Sequence, residues 1–258
     1  MIKQTFKIYF SLFLMILPIL LGAQQKTIVF NDITAKAGID FKYTFGDYSY
    51  KNILESSGSG VTVFDYNNDG LMDLYLMNGK YLEGISDRDG EVFKNAHNHL
   101  YKNNGNGTFT DVTEKSGLSG NNWCMSASAI DLDNGGNQDL YVVNFGKNVF
   151  YHNNGDGTFN NITTSLGLSG PDKLNGFTKW SIGASFWDYN KDGRLDVMVG
   201  NFMAFDPTYF SPSAPDMMPS PAEYKGQASL LYEQQTDGKF IDVTKKITCF
   251  ILTQDVWD

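Results

Sequence analysis

Asp65, Asn67, Asp69 and Asp73 stand at positions 1, 3, 5 and 9 of the loop in FDYNNDGLMDLYL, with Gly70 at position 6. The same wording returns at 187–199 as WDYNKDGRLDVMV, which puts Asp188, Asn190, Asp192 and Asp196 in the same register. Carboxylates crowded into one turn repel one another, and a divalent cation among them converts that repulsion into attraction. Calcium takes six to eight oxygens at about 2.3–2.6 Å, and a loop of this spacing wraps one ion with side-chain oxygens and one main-chain carbonyl. That carbonyl, at position 7, belongs to Leu71 in the first loop and to Arg194 in the last. A middle copy, DLDNGGNQD, keeps Asp131, Asp133 and Asp139 but has Gly135 at position 5, which predicts a weakened site.

Two other readings of these loops compete with calcium. In an EF-hand, position 12 is a bidentate Glu and a helix follows; here position 12 is Leu76 and Leu74–Met77 reads as an extended run. Asp, Asn and Gly also build tight turns with no ion at all. The return of three carboxylates in one register favours the metal over the plain turn.

The elements that must hold these loops are strands, and they repeat. An F-x-D/N-x-T strand end occurs at Phe30, Phe109, Phe159 and Phe240. A hairpin leads into it three times, as LYKNNGNGTF, FYHNNGDGTF and the looser LYEQQTDGKF. Asn-Gly and Asp-Gly pairs sit between runs rich in Val, Tyr, Phe and Trp, such as Asp139–Asn144 and Ala184–Asp188, as expected of β-hairpins. The Asn residues of the sequons at Asn106 and Asn161 are read as turn chemistry. The expected fold is all-β, built of repeats that bury their faces only against neighbours. Insertions near 80–98 and 203–228 enlarge the first and third units, and the second holds five of the seven prolines, which suits a surface. From each F-x-D/N-x-T phenylalanine the next acidic loop follows after 22 to 35 residues, so the chain is expected to break off before a fourth loop.

Residues 1–23 carry Lys3 and Lys7, an apolar run from Ile8 to Leu21 and then Gly22-Ala23, the build of a secretory signal. The run is short for a membrane span, so no stable span is expected once the signal is removed, and 24–258 is read as the propeller-like domain. The formal net charge of −9 becomes more negative when the two signal lysines leave, which disfavours nucleic acid and suits cations or basic partners. Cys124 and Cys249 permit one disulfide and do not organise the fold. His97 and His99 share a strand face but lack a third metal ligand, so a solvated loop is expected there. Trp123, Trp180 and Trp187 precede acidic loops and are assigned to packing rather than to sugar stacking.

The set FTDVT, DYNNDG, DLYLMN and LYKNNGNGTF resembles the FG-GAP/VCBS repeat proteins, and is similar to the ASPIC/UnbV (cartilage acidic protein-like) group. The third insertion, from NFMAFDP through a Pro-rich stretch to EYKG and LLY, extends that likeness, which covers roughly 27–247. The resemblance implies a β-propeller with calcium loops, here an incomplete one of about three to four blades, in an exported protein that is extracellular, periplasmic or at the cell surface. It implies a binding or adhesion module for protein or glycan. The alternative is a secreted calcium-dependent propeller enzyme acting on polysaccharide, but the chain holds no G-x-S-x-G, H-E-x-x-H or P-loop motif.

Overall fold

A computed structural model describes residues 28–49, 51–120, 122–212 and 217–246. The signal-like segment 1–23 and Cys249 lie outside the described residues. The chain divides into two units, Met1–Ile33 and Thr34–Asp258.

Within the second unit three four-stranded antiparallel meanders follow one another, the blades of a partial β-propeller. The first comprises β1 (Val61–Phe64), β2 (Asp73–Leu76), β3 (His99–Asn103) and β4 (Phe109–Asp111). The second comprises β5 (Trp123–Ile130), β6 (Asp139–Phe145), β7 (Val149–Asn153) and β8 (Phe159–Asn161). A two-stranded hairpin, β9 (Lys173–Leu174) and β10 (Phe177–Thr178), precedes the third sheet. Asn175 and Gly176 turn it with φ of 53° and 86°, the left-handed pair that a two-residue Asn-Gly hairpin requires. The third sheet comprises β11 (Ser181–Trp187), β12 (Asp196–Asn201), β13 (Leu230–Gln234) and β14 (Phe240–Asp242).

The first strands of the sheets lie side by side, β1 against β5 and β5 against β11. Hydroxyls three residues before each loop stitch them together. Thr62 Oγ1 donates to the Ala127 carbonyl at 2.8 Å, and one sheet later Ser128 Oγ donates to the Ala184 carbonyl at 2.9 Å. Between the sheets lie two apolar cores, one around Phe64, Tyr75, Leu100 and Leu140, the other around Trp123, Tyr141, Trp180 and Val199. Trp123 and Trp180 are 1% and 0% exposed, so both are packing residues as expected.

The F-x-D/N-x-T strand end has a physical explanation. Its Asp or Asn takes the Thr N–H, as Asp111 does from Thr113 at 2.9 Å, Asn161 from Thr163 at 3.1 Å and Asp242 from Thr244 at 2.9 Å. The Thr hydroxyl then accepts from the third strand of the same sheet, from the N–H of Leu100, Phe150 and Leu231. Each motif thus turns the chain away from its sheet while satisfying a buried donor. The copy at Phe30 does not form a strand, and Phe30 is 93% exposed. The reason lies in pairing: β4, β8 and β14 each pair with the hairpin strand before them, and no LYKNNGNG-type hairpin precedes Phe30.

Both insertions join the second and third strands of their sheets, where the middle sheet needs only residues 146–148. Gln227 roots the long one by accepting the Trp180 N–H at 2.8 Å, while Phe210 and Met217 stand 68% exposed. Among the described residues no helix is long and apolar enough to cross a membrane.

Two buried groups give predictions of their own. Cys124 is a free thiol, 1% exposed, and burial pushes its pKa up to about 12. It should resist iodoacetamide at pH 8 in the folded protein and react on unfolding, as mass spectrometry would show. Lys179 is fully buried with its Nζ donating to Asn148 Oδ1 at 2.9 Å and Ser181 Oγ at 2.8 Å, and burial lowers its pKa to about 7. Between pH 7 and 10.5 the unfolded lysine holds a proton that the folded one has lost, so this residue makes stability rise with pH across that window. Lys179→Met should flatten the rise and stabilise the protein at neutral pH, compared by urea titrations at both ends of the window.

Candidate metal centre

Each acidic loop is the turn between the first and second strands of a sheet, and the three share one backbone. Position 4 is left-handed in every copy, with φ of 58° at Asn68, 57° at Asn134 and 63° at Lys191. Position 6 is a glycine with φ of 81° at Gly70, 82° at Gly136 and 86° at Gly193. Asn tolerates that region better than Lys, so Lys191→Asn should stabilise by about 0.5–1 kcal/mol in a denaturant melt. Position 4 is the conformational determinant that the acid spacing did not reveal.

The position-1 aspartate closes each turn by accepting two backbone N–H groups. Asp65 takes those of Asp69 at 3.1 Å and Gly70 at 2.8 Å, Asp131 those of Gly135 and Gly136 at 2.9 Å, and Asp188 those of Asp192 at 3.0 Å and Gly193 at 2.8 Å. The bond from Gly193 is the main cause of a lowered Asp188 pKa. At position 3, Asn67 and Asn190 each contact the position-5 aspartate, at 3.1 and 2.9 Å.

Position 5 carries a protein cation in the first and third loops. Lys102 Nζ lies 3.0 Å from Asp69 and lowers its pKa, and the Arg194 guanidinium pairs with Asp192. Positive charge is therefore already drawn to the oxygens a divalent ion would use. In the second loop a side chain at position 5 is sterically blocked: a Cβ on Gly135 would meet Asp133 Oδ1 at 2.7 Å, because that oxygen folds in to accept the Gly135 N–H at 2.8 Å.

Position 9 has a structural task that spacing did not show. Asp73, Asp139 and Asp196 are 0%, 1% and 0% exposed and open the second strand of each sheet. One oxygen of each accepts the N–H of loop position 2, from Tyr66, Leu132 and Tyr189 at 3.1–3.3 Å. The other accepts an N–H at the end of the third strand, from Asn103, Asn153 and Gln234 at 2.7–2.9 Å. Burial raises all three carboxyl pKa values. Asp139 takes a third bond, from His152 Nδ1 at 2.9 Å. Each oxygen keeps a second lone pair, so the strut does not prevent metal coordination.

The pattern of FG-GAP-like repeats matches residues 86–142 and 131–199. FG-GAP-like repeats are found across 86–199. Both matched segments end on the second strand of a sheet, β6 and β12, just past an acidic loop. The sequence repeat is thus offset from the structural blade: it begins between strands of one sheet and ends inside the next. The first loop lies outside the matched residues, yet its hydrogen bonds reproduce those of the third, residue for residue. No curated protein matches the chain.

By donor chemistry the first and third FG-GAP-type loops fit calcium. Each gathers three carboxylates, an Asn amide and a carbonyl, all hard oxygens, and no nitrogen or sulfur ligand. Loops one and two also touch, as Asn68 Nδ2 donates to the Gly136 carbonyl at 3.1 Å and to Asn137 Oδ1 at 2.8 Å.

His97 and His99 stack with ring centroids 4.6 Å apart, so they share a face as the spacing required. His99 is held by Asp111 at 2.7 Å and His97 by the Asn95 carbonyl at 3.1 Å. Among the described residues, the three acidic groups that approach one another within 4.8 Å are Asp47, Asp87 and Asp89, all outside the loops. Sequence reasoning missed them because they come from segments far apart in the chain.

Proposed function

We propose that the chain is an exported calcium-binding repeat protein that serves as a binding or adhesion module for an extracellular protein or glycan. The observation that supports this most directly is the repetition of one loop network on successive FG-GAP-like repeats, a family whose repeats commonly bind calcium and mediate protein interactions. Calcium at Asp65, Asn67, Asp69, Leu71 and Asp73, and at Asp188, Asn190, Asp192, Arg194 and Asp196, would neutralise the acids and stiffen the turns. The second loop, with Asp131, Asp133 and Asp139, binds more weakly on this reading because Asp133 occupies the space of the missing ligand.

The insertion at 203–228 provides the surface that distinguishes this chain. A cleft of about 320 Å³ is lined there by Phe205, Tyr209, Phe210, Met218 and Tyr224, the aromatic lining that favours a protein or glycan partner. The likeness of this insertion to the ASPIC/UnbV group, together with the signal-like leader, supports a secreted or cell-surface setting.

Asp69→Ala and Asp192→Ala should each lower the melting temperature in millimolar calcium and leave little difference in EDTA. Extracellular calcium modules bind at about 10⁻⁴ to 10⁻³ M, so saturation adds only a few kcal/mol by mass action. Equal losses with and without calcium would sink the metal assignment.

A further inference from the structure

Asp47 is 3% exposed and Glu55 is fully buried, although neither is paired with a cation side chain. Glu55 sits in the 3-10 helix Ile53–Ser56, where one carboxylate oxygen closes a capping box by accepting the Asn52 N–H at 3.1 Å. Its other oxygen, Oε1, is buried with no hydrogen-bond partner. That side of the carboxyl faces Asp47, within hydrogen-bond reach. Two buried carboxyl groups face to face leave an unmet demand for positive charge.

The first insertion brings two more acids to the same place. Gly90 packs so closely that an added Cβ would lie 2.0 Å from the Gly46 carbonyl and 2.7 Å from Asp47 Cβ, which only glycine allows. This contact seats the turn at Asp87–Gly90 against Asp47, whose Oδ2 accepts the Asp87 N–H at 2.6 Å. One oxygen each from Asp47, Asp87 and Asp89 then falls within 4.8 Å of the others, about the breadth of a calcium oxygen shell. Lys51, bonded to Asp87 at 2.5 Å and 69% exposed, is the one ammonium at the rim.

We propose that Asp47, Glu55, Asp87 and Asp89 form a divalent-cation site, distinct from the blade loops, that takes calcium and clamps the insertion at 80–98 onto the segment before β1. The all-carboxylate donor set excludes a preference for zinc or copper, and donors from three irregular segments suit calcium's flexible shell better than the strict octahedron of magnesium. The ion would satisfy the orphaned Glu55 oxygen and the repulsion within the cluster together.

The test is calorimetric calcium stoichiometry on the full chain for wild type, Asp87→Asn/Asp89→Asn and Glu55→Gln, with far-UV spectra confirming the fold. Asp87 and Asp89 are at the surface, so that double variant should fold. Both variants should bind one calcium fewer than wild type, while Asp192→Ala should lose a different one, and combining the two should remove two. Unchanged stoichiometry in both variants would overturn the proposal and leave the loop sites standing. A Glu55→Gln protein that melts higher and keeps full stoichiometry would instead mean that Glu55 and Asp47 share a proton, which also overturns it. Loss of one ion in the double variant with none lost in Asp192→Ala would support this site and count against the loops.

Discussion

Asp196→Ala should cost about 3 kcal/mol or more, with and without calcium, and lower the melting temperature by roughly 6–12 °C. The substitution strands the N–H groups of Tyr189 and Gln234 beside a carboxylate that was fully buried. Each unsatisfied buried donor costs about 1–3 kcal/mol, and each kcal/mol moves the midpoint of a chain this size by about 2–4 °C. Asp192→Ala is the control in the same loop, since Asp192 sits at the surface and its loss should matter only when calcium is present. A thermal melt of both variants in EDTA separates the roles: a large drop for Asp196→Ala and almost none for Asp192→Ala. Equal, calcium-dependent drops would show that position 9 acts only as a ligand and not as a strut.

The second large effect is expected at Trp180, where truncation to Ala should cost about 3–5 kcal/mol. Its ring is met edge-on by Phe145, Phe202 and Phe205, with centroids 5.3–5.8 Å away. Phe145 ends β6 of the second sheet, whereas Phe202 and Phe205 follow β12 of the third. Trp180 therefore welds neighbouring sheets, and its removal should make their unfolding less cooperative as well as earlier. A broadened urea transition with a lower midpoint is the expected result. A simple shift without broadening would mean that the weld is carried by the rest of the interface.

The parts of this architecture that were legible in the sequence are local ones. NNGNGTF and NNGDGTF fold into hairpins because their turn chemistry is contained within a few residues, and the acidic turns close through bonds from position 1 to positions 5 and 6. What escaped is what the third strand contributes. Asp73 reaches Asn103 and Asp196 reaches Gln234, 30 and 38 residues away, so no loop pattern announces that position 9 is a strut. Phe30 shows the converse: its motif is intact, but a strand end without a preceding hairpin has nothing to pair with. The Asp47, Glu55, Asp87 and Asp89 cluster was hidden for a third reason. Its members belong to separate segments, and the close packing of Gly90 on Gly46 that unites them has no periodic signature.

The central claim is that repeated acidic turns on successive FG-GAP-like blades are calcium sites. Isothermal calorimetry of calcium into the chelator-treated wild-type chain, paired with melting in calcium and in EDTA, addresses it most directly. Saturable heat at two or more sites and a higher melting temperature in calcium are the predicted results. No heat and identical melts, from a sample with a folded β-sheet spectrum, would show that the loops are turns held by their own hydrogen bonds and by Lys102 and Arg194 alone.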